Sequence, residues 1–312
     1  MRPRPAPDGG PGLNMQAMLL AAGFGTRLRP HTLLRPKPLF PVLNRPLLHI
    51  LLDMLEEAGC RRIVVNCHHL ADQVMASVAG RSPVVVQHEA EILGTGGSLR
   101  RALPLFAEAP VLVMNGDIVH DVDLRAVYAA HCSSGNPVTM VLHDCPRFNN
   151  VAVRAQRVTG FGAQAEGSSL LAFTGIHVIE PSLIRMIPAN GFYHIIDLYR
   201  HLARDGITIG VFRADGRYWR DMGTPEDYLL LHRDLLTGAY TLAGAGPMQI
   251  PWLQDEDVVL GRDVVLGDWG CLGQGAHLED DVRLRRCVVW DHTRIPAGSR
   301  FADMILAPGL LP

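Results

Sequence analysis

The 312 residues are 48% hydrophobic, enough for a substantial core, and 29 basic against 31 acidic side chains leave a net charge of −2. That balance excludes a global electrostatic attraction to nucleic acid or to an anionic membrane, and no apolar run approaches the roughly 20 residues of a membrane-spanning helix. Six cysteines, Cys60, Cys67, Cys132, Cys145, Cys271 and Cys287, show no C-x-x-C spacing, which points to reduced thiols in a cytoplasmic protein rather than disulfides or zinc.

Residues 1–14 are rich in Pro, Gly and Arg without an apolar segment and are expected to be a disordered leader, with Met15 as an alternative start. Residues 15–243 read as the main domain. Ala17 to Ala22 has the unbroken small apolar pattern of a strand buried on both faces. Gly23 and Gly25 end it in a turn whose main-chain N–H groups are free to approach an anion. The turn is not a P-loop, because no Gly-Lys-Ser/Thr follows, nor a dinucleotide fingerprint, because Leu28 stands where the third glycine belongs. Beyond it Lys37 sits between Pro36 and Pro38 on a stiffened, extended segment. It is the only lysine, against 28 arginines. A compact ammonium is therefore expected to matter there, where the broader guanidinium would not fit against a polyphosphate.

Helical periods at 46–58, 70–78, 98–106 and 124–131 alternate with short apolar strands at 62–66, 84–87, 111–114 and 138–142. This alternation predicts a mostly parallel sheet with helices on both faces and ligands at the carboxyl ends of its strands. Residues 151–179 read as antiparallel strands forming a lid or wall, followed by a helix at 195–203, a strand at 207–212, and a helix at 225–236 capped by Thr224. A linker is expected at 244–257. From 258 to 312, Leu260, Leu266, Leu272, Leu278 and Leu284 recur every six residues, the period of a short hexapeptide β-helix suited to packing or to homo-oligomerisation.

Leu20, Ala21, Ala22, Gly23, Gly25, Thr26, Arg27, Leu28, Pro30, Thr32, Pro36, Lys37 and Pro38 together resemble the signature of the sugar-1-phosphate nucleotidyltransferases. Asn115-Gly116-Asp117 and Tyr218-Trp219-Arg220-Asp221-Met222-Gly223-Thr224-Pro225 extend that resemblance. It implies a Rossmann-like mixed sheet with a left-handed β-helix tail, and an NTP and a sugar 1-phosphate as substrates. It further implies Arg27 and Lys37 as catalytic cations and Mg2+ on Asp117 and Asp221, a pair of hard oxygen donors. The nucleotide would be held by Leu20 to Gly23, Gly25, Thr26, Gly94, Thr95, Gly96, Asn115 and Gly116. Glu89 and Glu91 are positioned to accept from the N1–H and N2–H2 of guanine, so GTP is favoured. The sugar phosphate is assigned to Asn149, Thr174, Gly175 and Arg213; the lysine usual in the family's lid is missing between Val158 and Ser169, and Arg147, Asn149 or Arg213 is expected to substitute for it. That lysine-free lid resembles the N-acetylmuramate-1-phosphate uridylyltransferases, whereas Gly94-Thr95-Gly96-Gly97 and the tail resemble mannose- and heptose-1-phosphate guanylyltransferases. A UTP-dependent enzyme and a non-catalytic scaffold homologue remain the alternatives.

Overall fold

In the computed structural model the described residues are 15–162, 167–242 and 251–311; the predicted leader, and the predicted linker up to residue 250, lie outside them. Strand β1 (Met15–Leu20) is buried on both faces, as its apolar run requires. After it the chain passes through three short 3-10 turns and a hairpin, β2 (Pro41–Val42) and β3 (Arg45–Pro46), before helix α1 (Leu47–Glu57). β4 (Cys60–Cys67), α2 (Ala71–Ser77), β5 (Val84–His88), α3 (Gly94–Ala102) and β6 (Val111–Asn115) follow. Strands β5, β4, β1 and β6 lie side by side and run parallel.

The second half of the sheet departs from the prediction. β7 (Ile118–His120), α4 (Leu124–Ser134), β8 (Val138–His143), β9 (Val151–Arg154), β10 (Arg157–Phe161) and β11 (Ser169–Ile179) come next. Then follow α5 (Pro181–Ile184), α6 (Ile195–Arg204), β12 (Ile209–Arg213), β13 (Trp219–Asp221) and α7 (Pro225–Leu236). The nine-stranded order is β5-β4-β1-β6-β11-β8-β12-β10-β9. Of its pairings β5–β4, β4–β1, β1–β6 and β8–β12 are parallel, while those of β11 with β6, β8 and β9, and of β10 with β9 and β12, are antiparallel. The sheet is mixed, as expected, but with four parallel pairings against five antiparallel ones it is not mostly parallel. The cause is local: β9 and β10 are joined by only Ala155 and Gln156, both at positive φ, and so short a connection makes only an antiparallel hairpin. The predicted lid is thus an extension of the main sheet.

Apolar clusters cover both sheet faces, one beneath α3, α5 and α6, the other beneath α1, α2, α4 and α7. The second cluster continues without a break into the C-terminal segment through Trp269, Cys271, Val288, Trp290 and Ile305. There β14 (Trp252–Gln254), β15 (Val259–Leu260), β16 (Val265–Leu272), β17 (His277–Leu278), β18 (Arg283–Val289), β19 (Arg294–Ile295) and β20 (Arg300–Leu306) stack in two parallel ladders, β14-β16-β18-β20 and β15-β17-β19. Trp252 pairs with Gly270 and Arg283 with Arg300, so each coil returns after 18 or 17 residues. Several corners carry aspartate at positive φ, at 257, 263, 268, 281 and 303, a conformation that this short polar side chain tolerates. The stack begins at Trp252, inside the predicted linker. The first two leucines of the six-residue period are its least covered, with Leu260 42% exposed on β15, the outermost strand of its ladder among the described residues.

Among the described residues no helix is long and apolar enough to cross a membrane, and all six cysteines are free thiols. Tyr228 on α7 is fully buried and its hydroxyl donates to the carbonyl of Pro41, tying the helix to the hairpin that ends the signature loop. Tyr228→Phe removes that buried hydrogen bond. It is expected to lower the unfolding free energy by about 1–3 kcal/mol, measured as the urea midpoint with an unchanged slope.

Candidate active site

The site is built where β1 and β6 end side by side. Leu20 pairs with Asn115, and beyond that pair Gly116 N–H donates to Leu20 O at 2.8 Å. A Cβ on Gly116 would stand 2.7 Å from the same oxygen, so only glycine lets the two chains close here. This contact carries Asp117 to the edge of the turn that begins at Ala21. Asp221 reaches the same place by a ladder that the sequence did not reveal. β13 pairs antiparallel with β7, with Asp221 opposite Ile118, and Met222 N–H donates to Asp117 O at 2.9 Å.

Between the two carboxylates lies the lone ammonium. Lys37 opens a 3-10 turn after an extended Pro36, rather than lying within an extended segment, and is buried. Its Nζ donates to Asp117 Oδ2 at 2.6 Å and lies 3.9 Å from Asp221 Oδ1. Arg27, largely exposed, brings Nη2 to 4.0 Å from Asp221 Oδ2. Burial, reinforced by the neighbouring Asp117 charge, raises the Asp221 carboxyl above its usual range against the pull of Lys37 and Arg27. Two hard carboxylates crowded in this way fit a divalent cation that takes its remaining ligands from substrate and water. Among the described residues no group of three or more potential metal ligands gathers anywhere.

A cavity of about 400 Å3 opens beside these groups, lined by Leu20 to Gly23, Gly25, Thr26, Arg27, Lys37, Glu89, Gly94, Thr95, Asn115, Gly116 and Asp117. Thus fourteen of the sequence-predicted residues share one cavity. At its far end Ala21 N–H donates to Asn66 Oδ1 at 2.7 Å, and Asn66 Nδ2 and Gln87 Nε2 both donate to Glu89 Oε1 at 3.0 Å. Glu89 is fully buried, with no hydrogen-bond partner for Oε2.

Three expectations fail. Glu91 is exposed and outside the cavity, because the chain turns away after Glu89. Gly96 is buried behind the wall: the predicted helix at 98–106 in fact starts at Gly94, and Gly96 and Gly97 N–H both donate to Tyr193 O, at 2.9 and 3.1 Å. Arg213 is exposed and bonded to Asp215 at 2.6 Å, away from both cavities.

A second cavity adjoins the first across a common wall of Arg27, Asn115 and Asp117, and Asp221 lines it too. Asn149, Thr174 and Gly175 lie here, although the Asn149 amide is taken up by Cys145 N–H and Asp144. Thr174 and Gly175 form a bulge where β11 slips register against β8, and Gly175, at φ +82°, is held against the Asn115 side chain. Arg147, a candidate from the sequence for the sugar side, lies on the rim of this cavity; sequence reasoning missed Arg200 beside it and the aromatic wall of Phe148, Phe173 and Trp219. It also missed Phe192 and His194, which close the first cavity. Trp219 lies within the Tyr218–Pro225 motif and Phe173 beside Thr174 and Gly175; Phe148, Phe192, His194 and Arg200 lie on segments whose fold position no local pattern gives.

Residues 16–238 match the nucleotidyl transferase family profile. The chain belongs to the nucleotidyl transferase family. It is 28% identical over 302 residues to a mannose-1-phosphate guanylyltransferase of Mycobacterium tuberculosis, covering 91% of this chain and 82% of that one. It is 31% identical over 230 residues to the N-acetylmuramate alpha-1-phosphate uridylyltransferase of Caulobacter vibrioides, covering 67% and 92%. Among solved structures, a putative glucose-1-phosphate thymidylyltransferase of Bacillus anthracis superposes with a TM-score of 0.61 at 20% identity, over 70% of this chain and 94% of that one, and shares the fold.

In this nucleotidyl transferase Arg147 anchors the rim of the second cavity through a two-pronged bond to Asp227, at 2.6 and 3.1 Å. Burial would raise the Asp227 carboxyl, but the hydrogen bonds from Arg147 and Thr224 outweigh it and hold the group below its usual range. A depressed folded-state pKa adds stability that is complete above the ordinary carboxylate range, near pH ~4, and is lost as pH falls through the folded value. Arg147→Met is therefore expected to unfold at lower urea than the parent at pH 7. The gap should narrow as the pH falls below that range.

Proposed function

We propose that this chain transfers a nucleotidyl group from a nucleoside triphosphate, with GTP preferred, to a sugar 1-phosphate, releasing pyrophosphate. The observation that carries this reading is the placement of Lys37 between Asp117 and Asp221 at the wall shared by the two cavities. One cavity is suited to the nucleotide and the other, with its aromatic wall, to the sugar.

In the reaction a phosphate oxygen of the sugar 1-phosphate attacks the α-phosphorus in line, and the bond from that phosphorus to the bridging oxygen of the β-phosphate breaks. Positioning and charge neutralisation carry most of such a transfer. Arg27, exposed and lining both cavities, faces the departing β- and γ-phosphates. Lys37 faces the α-phosphate and the incoming sugar phosphate. The open main-chain N–H groups around Gly23 hold phosphate oxygens. Magnesium held by Asp117 and Asp221 would supply further neutralisation of the phosphoryl oxygens. No side-chain base is needed, because the attacking phosphate is already an anion.

The base is read at Glu89. Its unpaired Oε2 asks for an N–H donor, which the pairing edges of guanine and uracil offer at a ring nitrogen and those of adenine and cytosine do not. Guanine presents two adjacent donors and uracil one, which favours GTP, in keeping with the guanylyltransferase names of several relatives. The relative named an N-acetylmuramate alpha-1-phosphate uridylyltransferase supports UTP as the second reading. We read the C-terminal stack as a short left-handed hexapeptide β-helix.

Following pyrophosphate release with each NTP, a panel of sugar 1-phosphates and Mg2+ tests this. GTP is expected to turn over fastest, and Glu89→Gln, which places a donor where an acceptor stood, to lose roughly ten-fold or more in kcat/KM for GTP. Silence across the panel would favour a non-catalytic homologue. Lys37→Arg is expected to lower kcat by about 100-fold with an unchanged melting temperature; a parental rate would remove the lysine from the chemistry.

A further inference from the structure

The loop from Arg29 to Asn44, which joins β1 to α1, has two faces. Toward the site it presents Thr32, whose Oγ1 donates to Gly25 O at 3.2 Å, and Lys37, bonded to Asp117. Toward the C-terminal stack it presents His31, Arg35, Phe40 and Asn44. His31 Nε2 lies 3.1 Å from Ile305 O. Arg35 donates through Nη1 and Nη2 to Asp291 Oδ1 and Oδ2 at 3.2 and 2.6 Å. Its guanidinium carbon stands 4.8 Å from the ring centre of Trp290, and Phe40 sets its ring edgewise on that same buried indole at 4.7 Å. Asn44 Nδ2 donates to Leu272 O at 2.9 Å.

Lys37 therefore sits two residues from Arg35 and three from Phe40, on a segment whose other side is fastened to the stack. The fork of Arg35 on a carboxylate fixes direction as well as distance, and its stacking on Trp290 removes the sideways freedom that an exposed pair would keep. Burial would raise the Asp291 carboxyl, yet Arg35 holds it below its usual range, so the pair is a net attraction.

We propose that the Arg35–Asp291 pair, seated on Trp290, is a positioning element: through it the C-terminal stack holds the loop so that the Lys37 ammonium stays between Asp117 and Asp221. Only the kinetic consequence rests on the nucleotidyl-transfer reading. The geometric one does not, because Lys37 is the only lysine in the chain. Acylation by an N-hydroxysuccinimide ester, mapped by peptide mass, therefore reports on this one ε-amino group, with the terminal amine resolved on another peptide.

In the full-length chain, Asp291→Asn and Arg35→Met are each expected to raise the rate of Lys37 acylation about ten-fold, the factor of one charge-assisted hydrogen bond. Each should lower kcat to a similar degree while KM for both substrates moves by less than about three-fold. The charge-reversed double variant, Arg35→Asp with Asp291→Arg, should recover much of both. Asp280→Asn, which breaks the exposed Arg262–Asp280 pair on the same stack, should move neither. Raised acylation with a parental kcat would support the positioning element and overturn the part given to Lys37 in turnover. Parental acylation in both single variants, with melting temperatures showing that they fold, would overturn the proposal. Should either fail to fold, Asp291→Glu, which keeps the charge but displaces it by one methylene, gives the same measurement, and parental acylation in it would likewise overturn the proposal.

Discussion

A single buried ammonium between two carboxylates organises this molecule. Lys37 is buried, and Asp117, in the turn between β6 and β7, and Asp221, on β13, come to it from about a hundred residues apart in the chain. Without a cation, two acids at this spacing repel each other and resist ionisation where water is scarce, which is the direction in which Asp221 is already displaced. Arg27 alone, at 4.0 Å and exposed to solvent, is too well screened to replace the missing charge. The arrangement is a place prepared for negative charge: remove the local cations, and the phosphates of a substrate would meet two like-charged side chains.

The two cavities inherit their chemistry from opposite structural habits. The first is walled by main chain at strand ends and by a tightly bonded amide and carboxyl network, Asn66, Gln87 and Glu89, which leaves one acceptor open. The second is walled by rings, with Trp219 Nε1 fixed to Thr174 O at 2.8 Å and Phe148 set edge-on to its indole. A network whose other hydrogen bonds are satisfied discriminates between ligands by the penalty of a group left unpaired, whereas an aromatic wall accepts shapes. On the proposed assignment of the base to the first cavity and the sugar to the second, selectivity for the base would be sharper than selectivity for the sugar.

Legibility in the sequence followed the range of the interactions involved. The turn after β1, the Thr224 cap of α7, whose hydroxyl accepts from Asp227 N–H, and the six-residue period of the tail are local patterns, and all were readable. The convergence of Asp221 on Asp117 depends on the β7–β13 ladder, two strands of three residues each, too short to leave a periodic trace. Glu91 and Arg213 are of the expected residue type and lie near the right segments. The fold turned Glu91 to solvent and gave Arg213 a closer carboxylate in Asp215. The antiparallel strands within 151–179 are legible, but no local pattern shows that they join the main sheet, so the parallel share of that sheet reads too high from sequence.

The continuity of the apolar interior beneath α1, α2, α4 and α7 changes what the tail is. Trp269, Cys271, Val288, Trp290 and Ile305 belong to the same cluster as Leu51, Val127 and Tyr228. A tethered appendage could melt by itself while its neighbour stayed folded; here, peeling the coils away would leave two indoles and a patch of aliphatic surface facing water. The chain is modular as written, yet its two parts share one interior and so gain and lose their structure together.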